Sequence, residues 1–360
     1  MATVNEKLLR FSIDHQINLQ RYSNGVVRRM IAILNKSDDK LTTELLSALQ
    51  RLPAESFTVK RLESLLKDVR TLNTKAYEAV GKSLEGDLSG LVESEAEFQK
   101  ELFETVLPVE LSVASIDAEK VYTAAMARPF QISKDRAVPM TGYLDGLSAD
   151  RAGRIRDAVR LGYINGETTD QIIRSIRGTK TQNYADGLME APRHHIEGMV
   201  RTAINHMSNF TAQRFYEANS ELIKGWQFVA TLDGRTSITC ASLSGKIFPI
   251  GSGPMPPRHT NCRSTSVPVT KSWRELGFDI DEFKSTRSSM DGQIPDDITF
   301  TEWLRSKPSS FQDDILGSTR GKLFRSNEIE VNKFTNNKGK VYSIDELRKR
   351  NKELFQKAGL

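Results

Sequence analysis

A chain of 360 residues is long enough for two or three domains and a sizeable core, and 38% hydrophobic with 27% charged residues excludes wholesale disorder. A net charge of +5 permits contact with nucleic acid without requiring it. Two cysteines, Cys240 and Cys262, are fewer than a disulfide-stabilised secreted scaffold uses, the opening MATVNEKLLRFSIDHQ has no apolar signal-peptide core, and no run approaches 18 apolar residues. The expectation is a soluble chain made in a reducing cytoplasm, which can still be packaged into a particle afterwards.

Residues 1–127 read as helices. Leu62, Leu65, Leu66, Val69 and Leu72 recur at helical spacing, as do Leu84, Leu88 and Leu91, then Phe98, Leu102 and Val106, with Glu, Lys and Arg on the other faces. The heptads are not sustained, so these stripes suit an intramolecular bundle better than a coiled coil. Pro53, Pro108 and Pro129 punctuate the region. The pattern loosens over 142–148 and resumes as a helix over 149–161; Asn165-Gly166 marks a turn. Thr168 with Gln171 forms a capping box for a helix that ends at Arg177, closed by Gly178. Without a basic recognition helix, this pair reads as a helical hairpin and not a DNA-reading motif.

A long helix over 194–219 follows, and Lys224-Gly225 is expected to end the helical half. Aromatic and β-branched residues at 225–231 predict a strand, with further strands at 246–250 and 266–269 around the rigid loop 251–257. Residues 299–324 read as helices. Residues 329–334 and 340–342 suggest a hairpin around Asn336-Asn337-Lys338-Gly339, and Ser343 with Glu346 caps a last helix. The expected fold class is α+β: a mostly helical N-terminal half (1–127), a small core with short strands (128–272), and a helical and hairpin C-terminal extension (273–360).

Chemistry concentrates in residues 233–263. Cys240, His259 and Cys262 are soft or borderline metal ligands, and the His-x-x-Cys spacing can place two of them on one turn. A structural zinc site normally has four ligands; the fourth would be Asp233, His206 or water. The same residues also suit two reduced thiols in a small core, or a Cys240–Cys262 disulfide formed after release from the cell. Asp233-Gly234 is a turn signal whose carboxylate can brace Arg235. Between positions 201 and 271 there are eight basic residues against three acidic. Arg235, Lys246, Arg258 and Arg263 are therefore candidates for binding phosphate or an acidic partner, or for pairing internally with Asp233 and loop carbonyls. No second carboxylate has the spacing of a metal nuclease, so no catalytic residue is expected.

Asp233-x-Arg235-Thr236 followed by Cys240, then Leu243-Ser244-Gly245-Lys246-Ile247-Phe248, then Pro256-Pro257-x-His259-x-Asn261-Cys262-Arg263, resembles the signature of the phage Mu F-like head morphogenesis family, with a likeness over roughly residues 130–270. Val200-Arg201-Thr202 sits where that family shows Arg-Thr-Glu. Ala203 thus replaces a Glu, which argues against any activity needing that carboxylate. Ser264 replaces a Cys that often follows the Cys-Arg pair, removing a fourth zinc ligand. Arg287-Ser288-Ser289-Met290-Asp291-Gly292-Gln293, and Trp303-Leu304 through Leu316-Gly317-x-x-Arg320, resemble segments that follow the core in such proteins and carry the likeness to about residue 348.

The resemblance implies a minor capsid component that acts in head morphogenesis, sits inside the capsid near the portal vertex, and contacts packaged double-stranded DNA or leaves with it at ejection. Its implied partners are the portal protein or the major capsid protein, with no membrane while in the virion. The tail looks like phage structural segments and no toxin domain is expected. Two other readings compete: a zinc-dependent nuclease built on Asp233, His259 and the cysteines, and an assembly chaperone absent from the mature virion.

Overall fold

The computed structural model describes residues 3–51, 58, 62–64, 66–107, 111–133, 136–182, 184–272, 274–276, 286–290, 292–295, 298–326, 329–336 and 340–360. Pro53, Leu65, Pro108, Asp291 and the turn residues 337–339 named above lie outside them.

The first helix, α1 (Val4–Gln50), opens on a capping box in which Thr3 accepts from the Glu6 N–H at 3.1 Å and Glu6 reaches back to the Thr3 N–H. Its 47 residues span about 70 Å. Leu8, Leu19, Val26, Met30, Leu34, Leu41, Leu45 and Leu49 form one buried stripe at four-, seven- and eleven-residue spacings. Each such side chain contributes about 1.5–3 kcal/mol of burial. The second helix, α2 (Lys67–Val106), runs back along it: His15 meets Glu95 and Arg29 meets Asp87, so rising numbers on one oppose falling numbers on the other. The short helix α3 (Ala118–Ala127), capped by Asp117, ends just before Pro129 and a two-stranded hairpin, β1 (Phe130–Ser133) with β2 (Arg136–Val138).

Helix α4 (Met140–Ile164) is continuous through 142–148, where the sequence pattern suggested a break. Met140, Leu144 and Leu147 are buried against the bundle, and that packing holds the helix through Gly142 and Gly146. Helix α5 (Thr169–Arg177) forms with the expected Thr168–Gln171 box and ends at Gly178, whose φ of 89° suits glycine.

Helix α6 (Ala191–Ala218) packs against both α1 and α2 to complete a three-helix bundle. One apolar cluster runs from Leu19 through Val80 and Leu144 to Phe210, so residues on both sides of position 127 share a core. From Thr202 to Gln213 every residue of α6 is buried, including Asn205, His206, Ser208 and Asn209. Buried polar groups need partners, and these find them on neighbouring elements.

The small antiparallel sheet has β3 (Ile223–Val229) in the middle, with β4 (Ile247–Pro249) on one side and β5 (Thr265–Thr270) on the other. All three expected strands are present. The helical half ends earlier than Lys224-Gly225, at Ala218, and those two residues lie inside β3. Gly225 pairs with Pro249, where an added Cβ would sit 2.6 Å from the Phe248 carbonyl oxygen, so a glycine is needed for close strand approach and does not terminate a helix. Trp226, fully buried, packs on Phe248, and its indole N–H donates to the Ser252 carbonyl at 3.0 Å.

A second hairpin, β6 (Thr286–Ser289) with β7 (Gly292–Pro295), leads to helices α8 (Phe300–Arg305), α9 (Ser309–Leu316) and α10 (Ser318–Arg325). The hairpin expected at 329–342 is reduced to a single bridge between Thr335 and Val341, and Val331–Phe334 is a 3-10 turn. Val331 and Phe334 are both fully buried on one side, which a spacing of three on a turn achieves and an alternating strand does not. Helices α11 (Ile344–Arg350), with the expected Ser343–Glu346 box, and α12 (Lys352–Lys357) close the chain. Among the described residues no helix is long and apolar enough to cross a membrane.

Candidate metal centre and its cleft

Helix α6 fixes the site loop from beneath. Thr202 Oγ1 accepts the Asn261 N–H at 3.0 Å, Asn205 donates to the Ser264 carbonyl at 2.9 Å, and Asn209 Oδ1 accepts the Ser266 N–H at 2.7 Å. Tyr216 adds a bond to the Ser266 carbonyl at 3.1 Å. Asn261 adopts φ 59°, a left-handed conformation asparagine tolerates, and the Cys262 N–H returns to the His259 carbonyl at 3.2 Å. That turn puts His259 and Cys262 on one side of the loop. Opposite them, Ser237 caps the short helix α7 (Ile238–Leu243) by accepting the Cys240 N–H at 3.2 Å, which presents Cys240 from its first turn.

The three predicted ligands converge. Their donor atoms lie within 4.8 Å of one another, the two cysteines buried and His259 partly so. Cys240 Sγ is 3.7 Å from Cys262 Sγ and 3.3 Å from His259 Nε2, and both cysteines are free thiols. A tetrahedral ion with metal–sulfur bonds of about 2.3 Å and metal–nitrogen bonds of about 2.0 Å separates two sulfurs by about 3.8 Å and sulfur from nitrogen by about 3.5 Å. The trio therefore fits a metal ion. The imidazole is also set for it: Nδ1 lies 2.8 Å from the Thr260 carbonyl oxygen, which only an Nδ1–H can satisfy, so Nε2 carries the lone pair that faces the sulfurs.

Protonation in the trio follows the same geometry. A hydrogen bond from Cys240 draws Cys262 well below the ordinary thiol value against the opposing effect of burial, with His259 helping. Cys240 is driven well above it by that same bond and by burial. Burial opposes the His259 imidazolium, but its hydrogen bond and charge interaction with Cys262 raise it overall. Arg258 lies within electrostatic reach of both sulfurs; burial depresses its pKa, and its Nε is buried without a hydrogen-bond partner.

Neither residue named as a fourth ligand joins the trio. Asp233 is held by Arg263, through Nη2 to Oδ1 at 2.8 Å and Nη1 to Oδ2, and it accepts the Arg235 N–H at 3.0 Å. Half-burial works against its charge, but Arg263 prevails and keeps the carboxyl below its ordinary value. His206 sits among Phe130 and Phe210 and bonds the Ala125 carbonyl at 3.1 Å. Burial pushes its pKa down to about 4.

This gives a pH signature. With a folded value below the ordinary imidazole value of 6.5, the unfolded chain takes up its proton first as pH falls. The contribution of neutral His206 is intact above pH 6.5 and is lost progressively towards pH 4. Between pH 7 and 4.5, wild type is expected to lose roughly 2–3 kcal/mol more than His206→Phe. Urea unfolding of the two proteins across that range measures the difference; parallel curves would show His206 charging freely in the fold.

The four basic candidates separate. Arg235 and Arg263 line a cleft beside the trio, and Arg258 is within electrostatic reach of the two sulfurs. Lys246 is elsewhere, within electrostatic reach of Lys333. The cleft, of about 510 Å³, is also lined by His259, Cys262, Ser237, Asn205 and Arg201, and by Gln16 and Gln20 of α1. The sequence offers no signal for Gln16, which arrives from more than 200 positions away.

Residues 153–267 match the family described as Phage Mu protein F like protein. The match contains all of the 233–263 stretch, and the 287–320 blocks fall outside it. No curated protein and no solved structure matches the chain.

Proposed function

For a chain that belongs to the phage Mu F-like family through its domain at residues 153–267, we propose the role of a minor head protein that acts in head morphogenesis by binding and not by catalysis. The family match is the observation that carries this reading. The protein resides in the capsid interior near the portal vertex, docks on portal or major capsid protein, and stays close to packaged DNA, with which it can leave at ejection. The trio holds zinc as a clip: two thiolates and an imidazole suit that ion, and they tie α7 to the 259–262 loop across the end of the sheet. A binding role is supported by Asp233, whose carboxylate is neutralised by Arg263 and is not free to act as a general base, and by Ala203 in place of a carboxylate.

The test is purification of heads made by the phage that encodes the chain. Portal-containing particles are expected to carry it in a few copies, before and after DNA packaging. Finding it only as a free protein in the infected cell would overturn the assignment, and presence in immature heads alone would identify an assembly chaperone in its place.

A further inference from the structure

The trio supplies three ligands, and on the side of His259 and Cys262 lies the cleft. Structural zinc sites are closed by four protein ligands, whereas three protein ligands beside open space leave a position for a ligand from outside. Among the described residues no other His, Cys, Asp or Glu joins the group. The surroundings of that space specify the charge of what enters. Arg201, Arg235 and Arg263 line it against one carboxylate, Glu197. Two thiolates and a divalent ion add no net charge, and Arg258, within electrostatic reach of both sulfurs, adds a further positive one.

The guanidinium groups differ in availability. Arg263 is committed to Asp233. Arg201 bonds Glu197 and Asn24 through Nε and Nη2, and among the described residues no bond engages its Nη1. Arg235 is 82% exposed and reaches Asp233 only at 3.8 Å. A separate sign of a missing occupant comes from α1. Gln16 is 8% exposed, lines the cleft, and its amide oxygen is buried with no hydrogen-bond partner among the described residues. Buried amides are rarely left unmatched, and because this atom is an acceptor its missing partner is a donor, which a water held at a bound anion supplies.

We infer that the cleft binds a phosphate oxyanion, one oxygen taking the outward position at the Cys240–His259–Cys262 centre and the others meeting Arg235 and Arg201. Phosphate fits this arrangement because it is tetrahedral and anionic, and because guanidinium groups pair with it through charge-assisted hydrogen bonds. The source is either a phosphodiester of nucleic acid or free phosphate. The inference rests on the proposed metal centre and adds a ligand to it.

The test loads the full chain with cobalt(II), whose ligand-field bands report changes in coordination. Inorganic phosphate is expected to shift those bands saturably, with affinity about tenfold weaker in Arg235→Ala, the loss of one charge-assisted hydrogen bond. A short DNA duplex producing the same shift identifies a phosphodiester as the source; a shift with inorganic phosphate alone identifies free phosphate. Cobalt bands that appear but ignore both would overturn the inference and leave the metal centre standing. Unchanged affinity in Arg235→Ala would overturn the cleft's part in it. Failure to bind cobalt at all would overturn the metal centre itself.

Discussion

Removal of the metal from the Cys240–His259–Cys262 centre is expected to lower the melting temperature by roughly 8–16 °C. A ligand present at a thousand times its dissociation constant stabilises the folded state by about 4 kcal/mol, and in a domain of 150–250 residues each kcal/mol moves the midpoint by about 2–4 °C. Small zinc domains lose their fold altogether without metal. Here the loss is smaller, because Trp226, Phe228 and Tyr216 are fully buried in the same cluster as the cysteines and hold β3 to α6 independently. The part that loosens is α7 and the 259–262 loop, which the centre joins. Thermal unfolding with and without chelator measures the shift, and Cys240→Ser should reproduce the chelated midpoint without adding to it. A midpoint indifferent to chelator would leave the cysteines as core thiols. A drop caused by reductant and not by chelator would identify a disulfide.

Where periodicity or capping chemistry was local, the fold could be read from the sequence. The Thr168–Gln171 and Ser343–Glu346 boxes mark helix starts to the residue, because the reciprocal bonds involve only four consecutive positions. The strands at 223–229 and 265–270 announce themselves by aromatic and β-branched residues. The misreadings occur where distant packing decides. Helix α4 persists through two glycines because Leu144 and Leu147 are buried in the bundle, and Val331–Phe334 coils because both ends of it point into one small core. Gly225 looks like a stop in a linear reading, yet the neighbouring strand's carbonyl requires it.

The site was legible to a similar extent and for the same reason. The His-x-x-Cys spacing and the residues around Cys240 pointed to three side chains that the fold does bring together, as a group that could hold a metal. Asp233 and His206 shared the right chemistry but not the right place: one is turned towards Arg263, and the other lies between Phe130 and Phe210 with its ring bonded to the Ala125 carbonyl. Arg201 was visible as one of eight basic residues and within the Val200-Arg201-Thr202 stretch, with nothing to place it at the cleft. Gln16, which lines the cleft, and Asn24, which bonds Arg201, come from α1, and only the return of α6 along that helix brings them there.

A second buried centre gives the other large effect. Asp38 of α1 pairs with Arg151 of α4 and lies 3.4 Å from Arg193 Nη2 of α6, so one carboxylate joins three helices. Arg193 has Glu190 as a second partner, while Arg151 has an exposure of 1% and its Nε and Nη1 have no hydrogen-bond partner. Tyr77 lies within their influence, its hydroxyl pushed up to about 12 chiefly by burial, so it remains protonated and supplies no compensating charge. Asp38→Ala therefore strands a buried guanidinium, at a cost of about 3–5 kcal/mol. The reverse comparison isolates the cause. In Asp38→Leu combined with Arg151→Met, both charges go together and apolar groups of similar length take their place, so most of that loss should be recovered, since a buried pair contributes little net stability once its desolvation is counted. Chemical denaturation of the single and double variants measures the coupling. A loss below about 1 kcal/mol in Asp38→Ala would mean that water reaches Arg151 and solvates it. A double variant as unstable as the single one would mean that the pair specifies how α1, α4 and α6 meet, beyond neutralising a charge.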